Sequence, residues 1–389
     1  MAERASIRFV ALMAYLVSCV ALGIDLMLAS LPEIGNELSP AAPERATLVM
    51  GSFFISLGFA TFLVGPILDR FGRKPVMLAG LGLYALGGLL SWLAPSLTLM
   101  LLGRALMGIG AAAPRVGVQA IIRDRFEGRQ MAATISLVMM IFTLVPGVAP
   151  MLGAWIAELT GWRGVFAVFI FFGLSAALWF VLQQPETLKE PIPISLRSWA
   201  EQVRASMSIK MFRLSLYIQL FAFASLYGLL TAGPAIFTDA YDIPGLYPYI
   251  FGAVSVSGAL GSFANARLVA RIGMVRLLRR GLVVCTLATL VGLIGLFAGL
   301  GLPAFLLAMF SAFFVLGFVV GNSQALALQP FGKSAGTASA TLVAAATLGA
   351  GALAIPIPLF FSSEPIPMIL AQLLFCLLGL WAAFGIEKD

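Results

Sequence analysis

Long apolar segments recur along the chain, separated by short polar connections. A helix needs about 20 apolar residues to cross the hydrocarbon core of a bilayer. We predict twelve spans, with these approximate bounds: 9–31, 47–68, 75–94, 97–122, 131–157, 164–182, 214–237, 246–264, 281–300, 302–328, 335–361 and 365–386. The runs are continuously apolar, whereas strands of a membrane barrel alternate, so we predict an all-α integral membrane protein. Eleven further spans follow the first apolar run, which favours a membrane helix there over a cleaved signal peptide.

The composition agrees with this pattern. Of 389 residues, 61% are apolar and only 11% are charged, about half the charged share of an average soluble domain. The longest connection, residues 183–213, is far shorter than the roughly 100 residues of an independent domain. We therefore expect the function to reside in the spans rather than in a soluble catalytic domain.

The basic residues predict the orientation of the chain. Of 24 Lys and Arg residues, all but four fall on the side of the two termini; Arg45 and Arg163 fall opposite, and Arg104 and Arg115 fall within a span. Cytoplasmic connections carry the excess of basic residues, so both termini are predicted to be cytoplasmic. The net charge of +7 is then a consequence of topology and no indication of a nucleic-acid partner.

Two related halves are indicated by the linker and by a repeated pattern. We expect a six-helix bundle over residues 1–182, a cytoplasmic linker over 183–213 and a second bundle over 214–389. Gly65 and Asp69 after the second span correspond to Gly261 and Asn265 after the eighth, both at an offset of 196 residues. Duplicated helical halves are typical of secondary transporters, whose substrate site lies near the middle of the membrane.

The connection after the second span carries the most specific motif, Gly65-x3-Asp69-Arg70-x-Gly72-Arg73-Lys74. In this motif the chain resembles the major facilitator superfamily. Other stretches resemble the bicyclomycin-resistance (Bcr/CflA) branch of bacterial drug:proton antiporters: Asp25 with Leu31-Pro32, Gly103-Arg104-x3-Gly108-x-Gly110, Ile122-Arg123-Asp124, Gly161-Trp162-Arg163, Pro185-Glu186-Thr187-Leu188 and Pro330-Phe331-Gly332-x-Ser334-Ala335-Gly336. The resemblance implies twelve helices in two pseudo-symmetric halves and transport without an organic cofactor.

One stretch departs from that family pattern. Antiporters of the family carry closely spaced glycines around Gly-Pro-x-x-Gly in helix five, whereas this chain has Pro146-Gly147 followed by Pro150 and Gly153. Pro114-Arg115 also occupies a part of helix four where many relatives have small residues. These departures weaken the prediction of export and suggest a different substrate preference.

Asp25 is the only acid well inside a span, and a charge there is costly. Counting from the outer ends of their helices, Asp25 and Arg104 lie at similar depths, which predicts an intramembrane ion pair. Desolvation favours the neutral carboxyl and a nearby arginine favours the charged one, so Asp25 is our candidate proton site. The resemblance gives Arg104 a role in proton coupling. The alternative is that Asp25 only caps a helix near the outer interface.

Arg115 is a candidate for the substrate cavity. It follows Arg104 by eleven residues, so at about 100° per residue the two side chains point in nearly the same direction. A guanidinium offers paired donors to an anionic or carbonyl-bearing substrate. It equally well reaches cytoplasmic headgroups, and the sequence does not decide between the two.

The motif after the second span is a candidate conformational gate, comprising Gly65, Asp69, Arg70, Gly72, Arg73 and Arg123. By resemblance, Asp69 pairs with Arg123 and faces the positive end of helix eleven, which holds the outward-open state. The alternative is that the basic residues only enforce topology.

Further cavity candidates are polar or adaptable side chains in the spans: Gln219, Tyr227, Asn322, Gln324 and Met139. Many such polar groups bond only to a neighbouring helix, and methionines often serve packing. The chain has no histidine, and its three cysteines lie in separate spans without metal-ligand spacing. It also lacks a complete phosphate loop. We therefore expect no metal, no nucleotide and no enzymatic activity.

The favoured hypothesis is a proton-coupled exporter of small amphipathic compounds, monomeric, in the bacterial inner membrane, with protons, a small molecule and lipid as its partners. A proton-coupled importer of a nutrient or metal chelate is the alternative on the same fold. A channel or membrane enzyme is disfavoured by the duplicated halves and the lack of a catalytic cluster.

Overall fold

The computed structural model describes residues 6–126, 128–188, 190–191, 196–361 and 364–386, and these ranges contain helices and connections but no strand. The helices are α1 (Ile7–Asp25), α2 (Leu31–Leu38), α3 (Thr47–Phe71), α4 (Arg73–Trp92), α5 (Leu97–Arg125), α6 (Gly128–Gln183), α7 (Leu196–Ser208), α8 (Lys210–Ala235), α9 (Tyr247–Ile272), α10 (Met274–Phe297), α11 (Leu302–Leu328), α12 (Ala335–Ala354), α13 (Pro356–Phe361) and α14 (Pro365–Gly385). The all-α prediction is confirmed.

Eleven helical stretches in the described ranges are long and apolar enough to cross a membrane. The predicted fifth and sixth spans run together as α6, which is interrupted at Gly161, where φ is 69° and ψ is 174°. A positive φ favours glycine, so this residue allows the chain to leave helical geometry between the two apolar runs. Dividing α6 at Gly161 recovers the predicted set of twelve.

Two predicted spans were wrong in detail. The α-helix of the first span ends at Asp25 and not near residue 31, and a short 3₁₀ turn then leads into α2. The eleventh span is broken at Ile355 into α12 and α13. A proline in the first turn of each following helix, Pro32 or Pro356, lacks the N–H that a continuous helix requires.

The linker over residues 183–213 is also more structured than predicted. It contains α7, a polar helix that packs against α8 and α12, and α8 itself begins within it at Lys210. Its sequence contains no apolar run, because charged and polar residues are interspersed with the apolar ones, so no span is predicted there.

The chain forms two compact units, residues 1–195 and 196–389. In the first unit α5 packs against α3 and α4, and α6 packs against α1 and α4. In the second unit α11 packs against α9 and α10, and α14 packs against α8 and α10. The same pairing pattern thus occurs in both units, as expected for pseudo-symmetric halves.

Small residues allow the central helices of each unit to approach closely. A Cβ on Gly108 of α5 would lie 2.5 Å from the Phe53 carbonyl oxygen of α3, and one on Gly317 of α11 would lie 2.7 Å from the Gly258 oxygen of α9. Glycine at such crossings is typical of helix packing within membranes.

Candidate functional site

Arg104 is fully buried within the first unit. Its Nη2 donates to the Gly23 carbonyl oxygen at 2.7 Å, and its Nε donates to the Val49 carbonyl oxygen at 3.3 Å. The guanidinium also lies 4.6 Å from the centre of the Phe53 ring. A single side chain of α5 therefore ties together α1 and α3.

The contact with Gly23 lies in the last turn of α1. The carbonyl groups in the last turn of a helix lack intrahelical donors, and this end carries a partial negative charge. Arg104 brings a donor and a positive charge to this turn. The arginine thus stabilises the end of α1 directly beside Asp25.

Asp25 is the last residue of α1 and is only 4% exposed. The predicted ion pair with Arg104 was wrong: over the described ranges, no ion pair within 4.0 Å joins the two side chains. Gly23 and Asp25 lie roughly 200° apart around the helix axis, so the turn that presents Gly23 to Arg104 directs Asp25 elsewhere. Residue counts predict similar depths for the two residues but not the direction of each side chain around its helix. Their roles in proton coupling stay a prediction.

The helix-five motif lies on α6, which stays helical through Pro146 and Pro150. Pro146 and Gly147 are half-buried, and Pro150 and Gly153 are buried. A Cβ on Gly153 would lie 1.7 Å from the carbonyl oxygen of Leu26, the residue after Asp25. Gly153 therefore lets α6 pack on the backbone where α1 ends.

Replacing Gly153 by alanine is expected to destabilise the protein by about 1–3 kcal/mol, because the backbone of one helix must shift to admit a methyl group. The matched control is Gly82→Ala on α4, where a Cβ would meet nothing within 4 Å. The control is expected to gain up to about 1 kcal/mol from helix propensity. Thermal unfolding in detergent measures both, and equal midpoints for the two variants would contradict the close contact.

Arg115 and Met139 are half-buried on α5 and α6. Arg115 follows Pro114 on the same helix as Arg104. Both interpretations of Arg115, as a substrate contact or a headgroup contact, therefore stay open.

The polar candidates of the second unit differ in their contacts. Asn322 donates to the Asn265 Oδ1 at 2.7 Å, and Gln324 donates to the Ser339 hydroxyl at 3.2 Å. These bonds favour helix–helix roles for both. Gln219 is 1% exposed, and its Oε1 lacks a hydrogen-bond partner among the described residues, which keeps it a cavity candidate. Tyr227 is buried and stacks on a neighbouring phenylalanine of α8.

The gate motif forms a charged cluster at the junction of α3 and α4. Arg73 is 8% exposed and donates from Nη1 to the Asp69 Oδ1 at 2.5 Å and from Nε to the Asp124 Oδ2 at 3.1 Å. Asp124 also accepts from the Thr187 hydroxyl at 2.9 Å. The cluster thereby joins the ends of α3 and α5, the start of α4 and the segment after α6.

The expected pairing of Asp69 with Arg123 was wrong in this structure. Asp69 pairs with Arg73, which lies four residues later and reaches back across the turn at Gly72. Arg123 is exposed, and the ion pairs of the described ranges do not include it. Arg70 is exposed in the last turn of α3, and Gly65 is half-buried within that helix.

Glu186 is a functional candidate that belongs to the stretch Pro185-Glu186-Thr187-Leu188 and for which no role was predicted from the sequence. Its carboxylate accepts from the backbone N–H groups of Arg73 at 3.0 Å and Lys74 at 2.9 Å, the first residues of α4. The N–H groups of Thr187 and Leu188 also donate to it, both at 2.8 Å. A carboxylate at a helix N-terminus is stabilising, so Glu186 caps α4 from a distant part of the chain. The signal in the sequence for this role was the position of Glu186, an acid shortly after the predicted sixth span.

The cap at Glu186 predicts a pH dependence of stability. Burial raises the pKa of Glu186, but the donors from Leu188, Lys74, Arg73 and Thr187 outweigh it, so the pKa lies below its ordinary value. The ionised carboxylate then stabilises the fold above the ordinary glutamate pKa of about 4.3, and this contribution is lost as the pH falls through the lower folded-state pKa.

We therefore expect Glu186→Gln to lower the free energy of unfolding at neutral pH, and with it the thermal midpoint. The loss should be less than about 1 kcal/mol because the carboxylate is exposed. The difference from wild type should shrink in acid. Glu190→Gln, at an exposed acid nearby, is the control and should match wild type at every pH. A Glu186→Gln deficit that stays constant down to acidic pH would contradict the assigned cap.

The turn at Gly72 gives a second prediction for this cluster. Gly72 has φ 98° and ψ 153°, and a Cβ there would lie 2.7 Å from the Glu186 Oε2. Gly72→Ala is expected to cost about 1–3 kcal/mol, since this backbone region is nearly confined to glycine. The control is Gly65→Ala, where a Cβ would meet nothing within 4 Å. Thermal unfolding in detergent should separate the two variants, and equal stability would contradict the strain at Gly72.

The chain is similar to known proteins over most of its length. The family model described as "Major Facilitator Superfamily" matches residues 13–354. The "Bicyclomycin resistance protein homolog" of Haemophilus influenzae is 30% identical over 336 residues, covering 85% of this chain and 83% of that protein. "Multidrug resistance protein MdtL" of Citrobacter koseri is 28% identical over 330 residues, covering 84% of this chain and 82% of that protein. The crystal structure of a D-xylose-proton symporter matches with a TM-score of 0.76 at 16% identity, covering 97% of each chain, and shows the shared fold alone.

Proposed function

Because the chain belongs to the major facilitator superfamily and is a multi-pass membrane transporter and not an enzyme, we propose that it exports small amphipathic compounds in exchange for protons. The observation that carries the proposal is the buried Arg104 bound to the last turn of α1, beside the buried Asp25. Ionisable residues inside spans mark proton or substrate pathways, since a charge there is costly.

Asp25 takes up and releases the coupling proton in this proposal. When Asp25 is protonated it is neutral, and Arg104 binds the Gly23 carbonyl as observed. When Asp25 loses its proton, the new negative charge competes with that carbonyl for the guanidinium. The end of α1 then has two arrangements that depend on the proton, which is the property that coupling requires.

One proton entering down about 100 mV releases roughly 2.3 kcal/mol, which sustains about a fifty-fold substrate gradient if the exchange moves one net charge. A single carboxylate is therefore sufficient for coupling. The two units expose the substrate site alternately to either side of the membrane.

The relatives guide the choice of substrates and location. One is named for bicyclomycin resistance and one for multidrug resistance, and both come from bacteria. Bicyclomycin and a panel of chemically different antibiotics are thus the first compounds to test. We also propose that the protein is a monomer in the bacterial inner membrane. The excess of basic residues in the connections on the side of the termini supports cytoplasmic termini.

Import of a nutrient or metal chelate is the second candidate. It is favoured by the half-buried Arg115 on the helix of Arg104, which suits an anionic substrate, and by the altered glycine pattern on α6. Import predicts net accumulation inside energised cells, whereas export predicts depletion.

The test is a drug-susceptibility and metabolite panel in cells with and without the protein. Export predicts raised resistance to at least one compound and a lower internal level of it, and an uncoupler should abolish both. Cells expressing Asp25→Asn at the same level are the matched control. Greater internal accumulation of every affected compound would overturn the proposal of export.

A further inference from the structure

Two thiols of the second unit lie side by side. Cys285 of α10 and Cys376 of α14 are 91 residues apart in sequence, yet their Sγ atoms are separated by 3.5 Å. Both cysteines are free and buried, with 3% and 7% exposure. In the sequence each of them is a single cysteine in its own span, without metal-ligand spacing.

A second contact fixes the register of the two helices at this point. Thr289 lies one turn from Cys285, Gln372 lies one turn from Cys376, and the Gln372 Nε2 donates to the Thr289 hydroxyl at 3.1 Å. The same amide nitrogen also donates to the Ala308 carbonyl oxygen at 3.0 Å. The Gln372 Oε1 is buried and has no hydrogen-bond partner among the described residues. The thiol pair is thus held in place next to an unused acceptor.

Both cysteines also line an apolar crevice between α8, α10, α11 and α14. Phe221, Leu282 and Phe375 contribute to its walls, and the crevice is narrow, with a cavity volume of about 30 Å³. A carbon substituent on a reagent bound to the thiols therefore has apolar walls beside it but must extend toward the open mouth of the crevice.

The geometry points to a dithiol site: we propose that Cys285 and Cys376 together bind a neutral trivalent arsenical, whose organic group extends toward the mouth of the apolar crevice. With bonds of about 2.3 Å to each sulfur, a spacing of 3.5 Å gives an angle at the bridging atom of roughly 100°. That angle fits a pyramidal three-coordinate centre and not a linear one.

The reaction needs no oxidant or reductant. In an arsenical R–As=O, two As–S bonds form, the two S–H bonds break, and the oxygen leaves as water with both protons. Arsenic stays trivalent, and the product carries no charge, which suits an apolar interior.

A hydrated metal ion fits this site less well. Over the described ranges, no group of three or more His, Cys, Asp or Glu residues is placed to hold a metal. Two sulfurs alone leave a divalent ion short of the four ligands that it takes in structural sites. The inference is independent of the proposed export, because it concerns a different unit and different side chains.

Phenylarsine oxide added to the purified full chain in detergent is the test. One equivalent is expected to lower the number of thiols titratable after denaturation from three to one, because the chain has three cysteines. The intact mass should rise by the mass of one phenylarsine oxide less one water. A small dithiol should reverse the reaction, and a monothiol should not.

Cysteine variants locate the site. Cys19→Ala should bind as wild type does, whereas Cys285→Ala and Cys376→Ala should each bind at least about 100-fold more weakly, because the second bond is no longer intramolecular. Binding should also raise the thermal midpoint of wild type and of Cys19→Ala. Near-wild-type binding by Cys285→Ala or Cys376→Ala would overturn the proposal. So would the loss of only one titratable thiol in wild type, or protection of the thiols by cadmium ion to the same extent.

Discussion

Replacing Arg104 by methionine is expected to abolish transport while leaving the fold about as stable as wild type. The guanidinium is fully buried in the first unit, and no ion pair with an acid compensates its charge within the described ranges. Exchange of buried charged groups for apolar residues of similar volume is often neutral or stabilising. The Gly23 carbonyl loses its donor, at a cost of about 1–3 kcal/mol, and the removed desolvation penalty offsets this loss.

Arg104→Ala should behave differently from Arg104→Met. Alanine leaves a cavity between α1, α3 and α5. This cavity should lower the free energy of unfolding by a further amount of about 2–5 kcal/mol, as in other large-to-small core substitutions. Thermal unfolding in detergent and drug efflux from cells measure the two effects separately. Arg45→Met, at an exposed arginine, is the control and should change neither. Wild-type efflux by Arg104→Met would show that the arginine is only structural.

The second large effect is expected for Asp25→Asn. Asparagine has the shape of the protonated carboxyl and cannot release a proton, so accumulation driven by a pH gradient should be lost. Exchange of labelled for unlabelled substrate across the membrane needs no net proton movement and should persist. Because Asp25 is buried at the end of α1, removal of its ionisable group should not lower the thermal midpoint.

Glu33→Gln provides the control for Asp25→Asn. Glu33 is an exposed acid of α2, eight residues further along the chain, and its replacement should leave both gradient-driven transport and exchange unchanged. Full gradient-driven accumulation by Asp25→Asn would remove Asp25 from the proton pathway.

The helices were predictable where the apolar runs alone determine them. The twelve spans correspond to helical stretches because each run is long enough for a bilayer and the connections are short. The interruptions of the helices were not predictable from the apolar runs, because α1 ends at Asp25 although the apolar run continues beyond it. The donor that Arg104 brings to this end comes from another helix. The polar helix α7 carries no signal in a search for apolar runs.

The candidate site was predictable in its members and less so in its contacts. Asp25 and Arg104 are detectable as charges within spans, and similar depths follow from residue counts. Which atoms meet depends on rotation about the helix axis, and for this reason Arg104 bonds to Gly23 and not to Asp25. The adjacency of Cys285 and Cys376 likewise depends on the register of two helices that are distant in sequence.

The coupling of substrate to protons is tested most directly in proteoliposomes that contain the purified protein and a trapped pH-sensitive dye. An outward gradient of a drug identified in the susceptibility panel is imposed, with no initial pH gradient. Proton exchange predicts that drug leaving the vesicles drives protons in, so the internal pH falls with wild type and stays constant with Asp25→Asn. A rise in internal pH, or no change with wild type, would contradict proton-coupled export.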